Sequence, residues 1–217
     1  MKIRRNVTCA LLFTLVPLTG HAVIIIDDTT TGLYNDGLGD LAGLDGPGGF
    51  LLGPNVSEGD PNRPPVIPDP GLTFSAEFGT DWLGGDYTGG TWSAGPVAIP
   101  GSWAVNTESA IVYDFTLDSR SDIHIDLGVD NGVLVWLNGS YLFGAQAGGG
   151  SSLTEYDLDI SGLSAGTHSL QILREDHGGL TGFDILADAV AVPEPSALSL
   201  LGVSLLGLAL LRRRQPA

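Results

Sequence analysis

The sequence predicts an all-β fold, a single β-sandwich or jelly roll, and three observations carry that prediction. Between the two ends of the chain, apolar residues recur with a period of two, and no stretch of useful length follows a 3.6-residue period. The alternating runs are bounded by Gly, Asn and Asp and spaced evenly, as short strands of a sandwich are. The composition agrees: 217 residues with 32 Gly and 13 Pro are rich in turns, yet 43% hydrophobic residues suffice to fill one core.

The elements follow in chain order. Met1 to Ala22 opens with Lys2, Arg4 and Arg5, continues through an apolar run from Val7 to Leu18, and exits through Gly20 and Ala22 around His21. Charge, apolar run and small-residue exit stand in the order that translocation needs, so residues 1–22 read as a secretory signal peptide and Val23 as the mature N-terminus. The single cysteine, Cys9, leaves with that peptide. A mature chain without thiols in an oxidising exterior relies on packing or bound ions instead of disulfides.

The exported domain spans 23–191. Its segment 27–70 is rich in Gly and Asp, then in Pro from Pro61 to Pro70. Proline favours an extended conformation without ladder hydrogen bonds, so 27–70 reads as a long irregular connection. Leu33, Leu38, Leu41, Leu44, Phe50, Leu51 and Leu52 would hold it on the sandwich. A structureless segment of that length is expected to be functional or ordered by something bound.

Strands come next. Ile111, Tyr113, Phe115 and Leu117 alternate with smaller or polar residues; Ile123, Ile125, Leu127 and Val129 alternate with Asp122, His124, Asp126 and Gly128. Each pattern gives one buried and one wet face. Val133 to Leu137 is apolar at every position, which predicts a central strand covered on both sides. Asn131-Gly132 and Asn138-Gly139 flank it, and Asn-Gly best tolerates the positive φ angles of a two-residue hairpin. The expectation is a meander with strands at 122–129, 133–137 and 140–145. Further strands are expected at Tyr156–Ile160, around Leu170 and Ile172, and from Phe183 to the end of the domain.

The last segment, 192–217, holds Val192-Pro193-Glu194-Pro195, an apolar stretch at 196–211 and the cluster Arg212-Arg213-Arg214. Sixteen helical residues span roughly 24 Å, which snorkelling arginines extend to a bilayer core, so 196–211 reads as a transmembrane helix with its arginines inside. Six of the nine basic residues sit at the two ends, and the net charge is -16. The middle is a polyanion, which excludes nucleic acid as a partner because backbone binding needs a basic surface.

The order Val-Pro-Glu-Pro, apolar segment, arginine run resembles the PEP-CTERM sorting signal of exported bacterial proteins. The resemblance implies recognition by exosortase, a membrane-embedded cysteine transpeptidase that cuts near the Pro-Glu-Pro and passes its substrate to the cell surface or extracellular polysaccharide matrix. Val192, Pro193, Glu194, Pro195, Arg212, Arg213 and Arg214 are then substrate residues. Two prolines keep the segment out of helix and sheet, where an enzyme at the membrane face can grip it. The protein would be membrane-anchored only in transit.

Residues 122–187 also resemble galactose-binding-like jelly rolls and the protective-antigen-type domain, through Asp130-Asn131-Gly132, the apolar strand to Leu137, Asn138-Gly139, and the short loop from Leu163 to Gly166. In some relatives two consecutive aspartates at this turn hold calcium against sugar hydroxyls. Here Asp130 matches the first and Asn131 stands at the second.

The candidate sites follow from donor chemistry. Calcium wants six to eight oxygens, and two clusters offer them: Asp130 with Asn131, and the loop carboxylates that include Asp36 and Asp40. Trp82, Trp92 and Trp103, in Gly- and Pro-rich surroundings, are candidates for stacking on sugar rings. Asp122, His124 and Asp126 share a strand face and are a candidate for a transition metal. Glu175, Asp176 and His177 stand together, and no nucleophile or phosphate-binding motif accompanies them. The sequence thus reads as an exported, non-catalytic β-sandwich, contacting extracellular polysaccharide with calcium. A secreted polysaccharide hydrolase and a purely structural acidic matrix protein are the alternatives.

Overall fold

The computed structural model describes residues 21–39, 81–88, 90–147, 150–176 and 179–193, together with 202, 206 and 207. Among these residues the chain forms β1 (Ala22–Ile26), β2 (Thr31–Asn35), β3 (Val97–Ala98), β4 (Ser109–Leu117), β5 (Ser121–Leu137), β6 (Ser140–Ala147), β7 (Tyr156–Leu163), β8 (Gly166–Glu175) and β9 (Gly182–Ala191). Every pairing is antiparallel. The all-β expectation therefore stands for the described residues.

The architecture turns on β5, whose 17 residues serve two sheets. Its first part pairs with β9 along one edge and β7 along the other, and β1 adds to β9. Its second part pairs with β8 and β6, and β4, β2 and β3 extend that sheet beyond β8. Ile123, Ile125, Leu127, Val129, Val133, Val135 and Leu137 of β5 face inward. They meet Ile111, Tyr113, Phe115 and Leu117 of β4, Leu170 and Ile172 of β8, and Phe183 and Ile185 of β9 in the main core. Burying a side chain of this size stabilises by roughly 1.5–3 kcal/mol each, so this layer holds the sandwich together.

A second apolar layer lies on the opposite face of the second sheet. Ala110, Val112, Leu134, Trp136 and Leu173 point outward there and are roofed by Leu38 and Trp82, with Leu83, Tyr87 and Trp92 packed alongside. This is why Val133–Leu137 is apolar at every position: Leu134 and Trp136 are as buried, at 0% and 1%, as Val133 and Val135.

Two sequence expectations are corrected. Asn131-Gly132 makes no hairpin: Asn131 pairs with Ala147, and Gly132 pairs with Gln146 on one side and Glu175 on the other, so the strand runs through. The physical reason is that the ladder partners change at this point while β5 itself continues: the rungs with β9 run up to Asp130, opposite Gly182, and those with β8 take over from Gly132, opposite Glu175. The gap on the other edge is filled by the loop after β6, where the Glu155 carboxylate accepts the Val129 N–H at 2.9 Å and the Ser152 backbone lies where a side chain on Gly128 would go. Asn138-Gly139 does turn, with φ of 51° and 75°, as a two-residue hairpin requires.

The second correction concerns 27–70, where Thr31–Asn35 is a strand whose Leu33 and Tyr34 pair with Val112 and Ile111. Gly32 is needed there, because a side chain would meet the Val112 carbonyl at 2.7 Å. Leu33 and Leu38 do pack on the sandwich, as expected, while residues 40–70 lie outside the described residues.

Candidate functional site

The sorting motif begins where the sheet ends. The last rung of β9 pairs Ala191 with Ser121, and the Val192 N–H donates to the Arg120 carbonyl at 2.8 Å. Pro193 has no N–H, so the ladder stops there, and its side chain is exposed. At the other end of the domain, Ala22 pairs with Val190 and Val23 with Ala189. Both ends of the exported domain therefore leave the sandwich side by side at one end of the first sheet. Glu194, Pro195, the 196–211 stretch apart from 202, 206 and 207, and Arg212, Arg213 and Arg214 lie outside the described residues, as do residues 1–20 of the expected signal peptide. Among the described residues no helix is long and apolar enough to cross a membrane.

The three candidate tryptophans are integrated into packing. Trp82 is 2% exposed, stacked on Trp92 at 6.0 Å and edge-on to Trp136 at 5.5 Å. A ring closed in this way presents no face to a sugar, which corrects the expectation for Trp82. Trp92 is half-buried and also meets Tyr87 edge-on at 5.2 Å. Trp103, likewise half-buried, donates its indole N–H to the Thr107 carbonyl at 2.7 Å and lies 4.3 Å under the Arg174 guanidinium.

Arg174 was missed in the sequence. It is fully buried, donates to Ser109 Oγ, the Pro100 carbonyl and the Tyr34 hydroxyl, and faces the rings of Trp103, Phe183 and Tyr34. Burial lowers its pKa to about 10, which leaves it charged at neutral pH. It ties β8 to the start of β4 and to the segment before it.

Asp130 sits where the two sheets part, 6% exposed, within a strand instead of at a turn. Nearby in the register, Glu175 faces Gly132, and Glu108 precedes Ser109, the partner of Arg174. Glu108, Glu175 and Asp176 are 1%, 0% and 1% exposed. Asp176 also accepts the Asn106 N–H at 2.5 Å. Among the expected calcium residues, Asp36 is exposed and Asp40 lies outside the described residues. Asp27 of the same loop caps its own turn, accepting from the Thr29 N–H and the Thr29 and Thr30 hydroxyls, which hold its carboxyl below the usual range.

The outer face of the first sheet is different in kind. β5 contributes Asp122, His124 and Asp126, β7 contributes Asp157 and Asp159, and β9 contributes Asp188. His124 faces Asp159 on one side and Asp188 on the other, and Asp126 faces Asp157. His124 Nδ1 is 2.8 Å from Asp159, and Nε2 is 3.3 Å from Asp126. The hydrogen bond to Asp159, together with the nearby carboxylates, raises the imidazole pKa. The signal for this cluster was in the sequence: Tyr156–Ile160 carries aspartates at every second position, as the 122–126 strand carries its polar residues, and antiparallel pairing brings the two acidic rows together.

Comparison with curated proteins finds no match. Solved structures similar to this chain include a glycosyl hydrolase family 2 member from Bacteroides cellulosilyticus at 9% identity and TM-score 0.43, covering 76% of this chain and 20% of that one. A calcium-binding mutant of Bacteroides uniformis β-glucuronidase 2 gives 12% identity and TM-score 0.43, covering 79% and 18%. A family 2 β-galacturonidase from Eisenbergiella tayi bound to glycerol gives 10% identity and TM-score 0.42, covering 81% and 25%. The chain spans a quarter or less of the length of these enzymes, and likeness at this level transfers no activity. The family model for the PEP-CTERM protein-sorting motif matches residues 191–214, beginning on the last residue of β9. The chain therefore carries a PEP-CTERM sorting motif, the mark of an exported protein processed by exosortase.

Proposed function

We propose that this protein is a non-catalytic acidic module, delivered by exosortase to the cell surface or the extracellular polysaccharide matrix. The observation that carries the reading is the pairing of Ala22 with Val190, one rung from the start of the sorting motif. With both ends of the domain leaving at one place, the sandwich folds while its two apolar end segments share a single membrane. Either segment is then removable without disturbing the core. Membrane anchorage belongs to that transit state.

The finer part of the proposal is contact with matrix polysaccharide assisted by calcium. Its support is Asp130, a carboxylate held at 6% exposure where the two sheets part, whose oxygens are ligands of the kind a hard cation takes. Polysaccharide pull-down with the processed protein, run with calcium and with EDTA, tests it. Retention that EDTA abolishes supports the reading. Equal retention in both removes calcium from it, no retention in either removes the polysaccharide, and release of reducing sugar overturns the non-catalytic assignment.

A further inference from the structure

We propose that the outer face of the first sheet binds a divalent transition-metal ion of the zinc class through His124, Asp126 and Asp157, with Asp159 as a positioning residue. One ligand atom from each of the three lies within 4.8 Å of the others, so sub-ångström side-chain adjustment brings all three within about 2.0–2.2 Å of one ion. The set is built by register. His124 and Asp126 are two apart on β5 and share a face, and antiparallel pairing sets Asp157 opposite Asp126.

The orientation of the ring is a separate observation. Asp159 holds Nδ1 at 2.8 Å, which leaves Nε2 turned toward Asp126. A metal-bound histidine commonly uses this arrangement: the second ring nitrogen donates to a carboxylate that fixes tautomer and orientation. The register also places like charges directly opposite each other at Asp126 and Asp157, with Asp159 and Asp188 on either side of the neighbouring His124, and such a pair is costly without a cation.

The donor set selects the ion. An imidazole nitrogen with two carboxylates suits zinc and its neighbours, whereas calcium requires six to eight oxygens, more than these side chains supply. Three protein ligands leave a fourth position for water or an external ligand. The site is reachable, since the His124 and Asp126 side chains are 41% and 28% exposed. Its residues belong to β5 and β7 and none is part of the sorting motif, so it stands or falls independently of the delivery reading.

The test is calorimetric titration of the full chain, without a polyhistidine tag, with Zn2+, alongside Co2+ absorption spectroscopy. One equivalent per chain is expected, with a visible Co2+ spectrum that Zn2+ bleaches. His124→Ala should abolish the spectrum, Asp157→Asn should weaken binding at least tenfold, and Asp159→Asn should weaken it about 10–100-fold at unchanged stoichiometry. These side chains are on a solvated face, and an unchanged far-ultraviolet dichroism confirms that each variant folds. Equal binding by His124→Ala, or weak multi-site binding competed equally by Ca2+, overturns the proposal.

Discussion

The two halves of β5 have the same inward face and opposite outward faces. Along 121–127 the outward positions are Asp122, His124 and Asp126, exposed or partly open to solvent beside the aspartates of β7. Along 133–137 they are Leu134 and Trp136, roofed by Leu38, Trp82 and their neighbours. One strand thus shows what a solvated sheet face and a covered one each demand of a sequence. The alternation survives where water touches one side and vanishes where protein touches both. The difference also locates chemistry: the roofed half stabilises, and the bare half is free to bind.

The largest effect expected from breaking this contrast comes at Trp136. Its ring is 1% exposed and meets both Trp82 and Tyr141. Trp136→Ala should cost about 3–5 kcal/mol, read as a lowered urea midpoint of the full chain in mild detergent. On the bare half, with metal removed by chelator, Asp157→Asn should change stability by no more than about 0.5 kcal/mol, with relief of the pair with Asp126 favouring the folded state. If both substitutions cost alike, the two faces do not differ as described.

A further small effect is a pH dependence measured with metal removed. The folded-state pKa of His124 is raised, so its contribution is full below the unfolded value and is lost as pH rises through the folded one. Because the side chain is 41% exposed, solvent screening keeps this contribution under about 1 kcal/mol. A nuclear magnetic resonance titration of His124 should give a midpoint above the usual histidine value, falling in Asp159→Asn.

Much of this was legible. The periodicity of Ile111–Leu117, Ile123–Val129 and Tyr156–Ile160 gave strands and their core-facing residues, although Val112, on the expected wet face of the first, is buried under the second apolar layer, and Asn138-Gly139 gave a true hairpin. Asn131-Gly132 misled because Val133–Leu137 is apolar at every position. A hairpin would turn Leu134 and Trp136 inward and a through-strand turns Val133, Val135 and Leu137 inward, and hydrophobicity fits both. Only the ladder partners, remote in sequence, decide. The same remoteness hid the roof over Trp136 and the aromatic setting of Arg174, whose partners include Tyr34, 140 residues away. The acidic cluster was half visible, since His124 and Asp126 share a strand, while Asp157 and Asp159 join only through register. The sorting motif was the most legible feature because it is contiguous and is read by another protein as an extended segment.

The most direct test of the account is the intact mass of the protein recovered from outside the cells, in a host that carries exosortase and in the same host lacking it. With exosortase, the account predicts a species that has lost residues 1–22 and has been cut beyond Val192, leaving every rung of β1 with β9 intact bar the one at Ala22. Without exosortase, the C-terminal segment should remain attached and the protein should stay with the membrane fraction. A full-length mass in both hosts, or a cut inside β9, would contradict it.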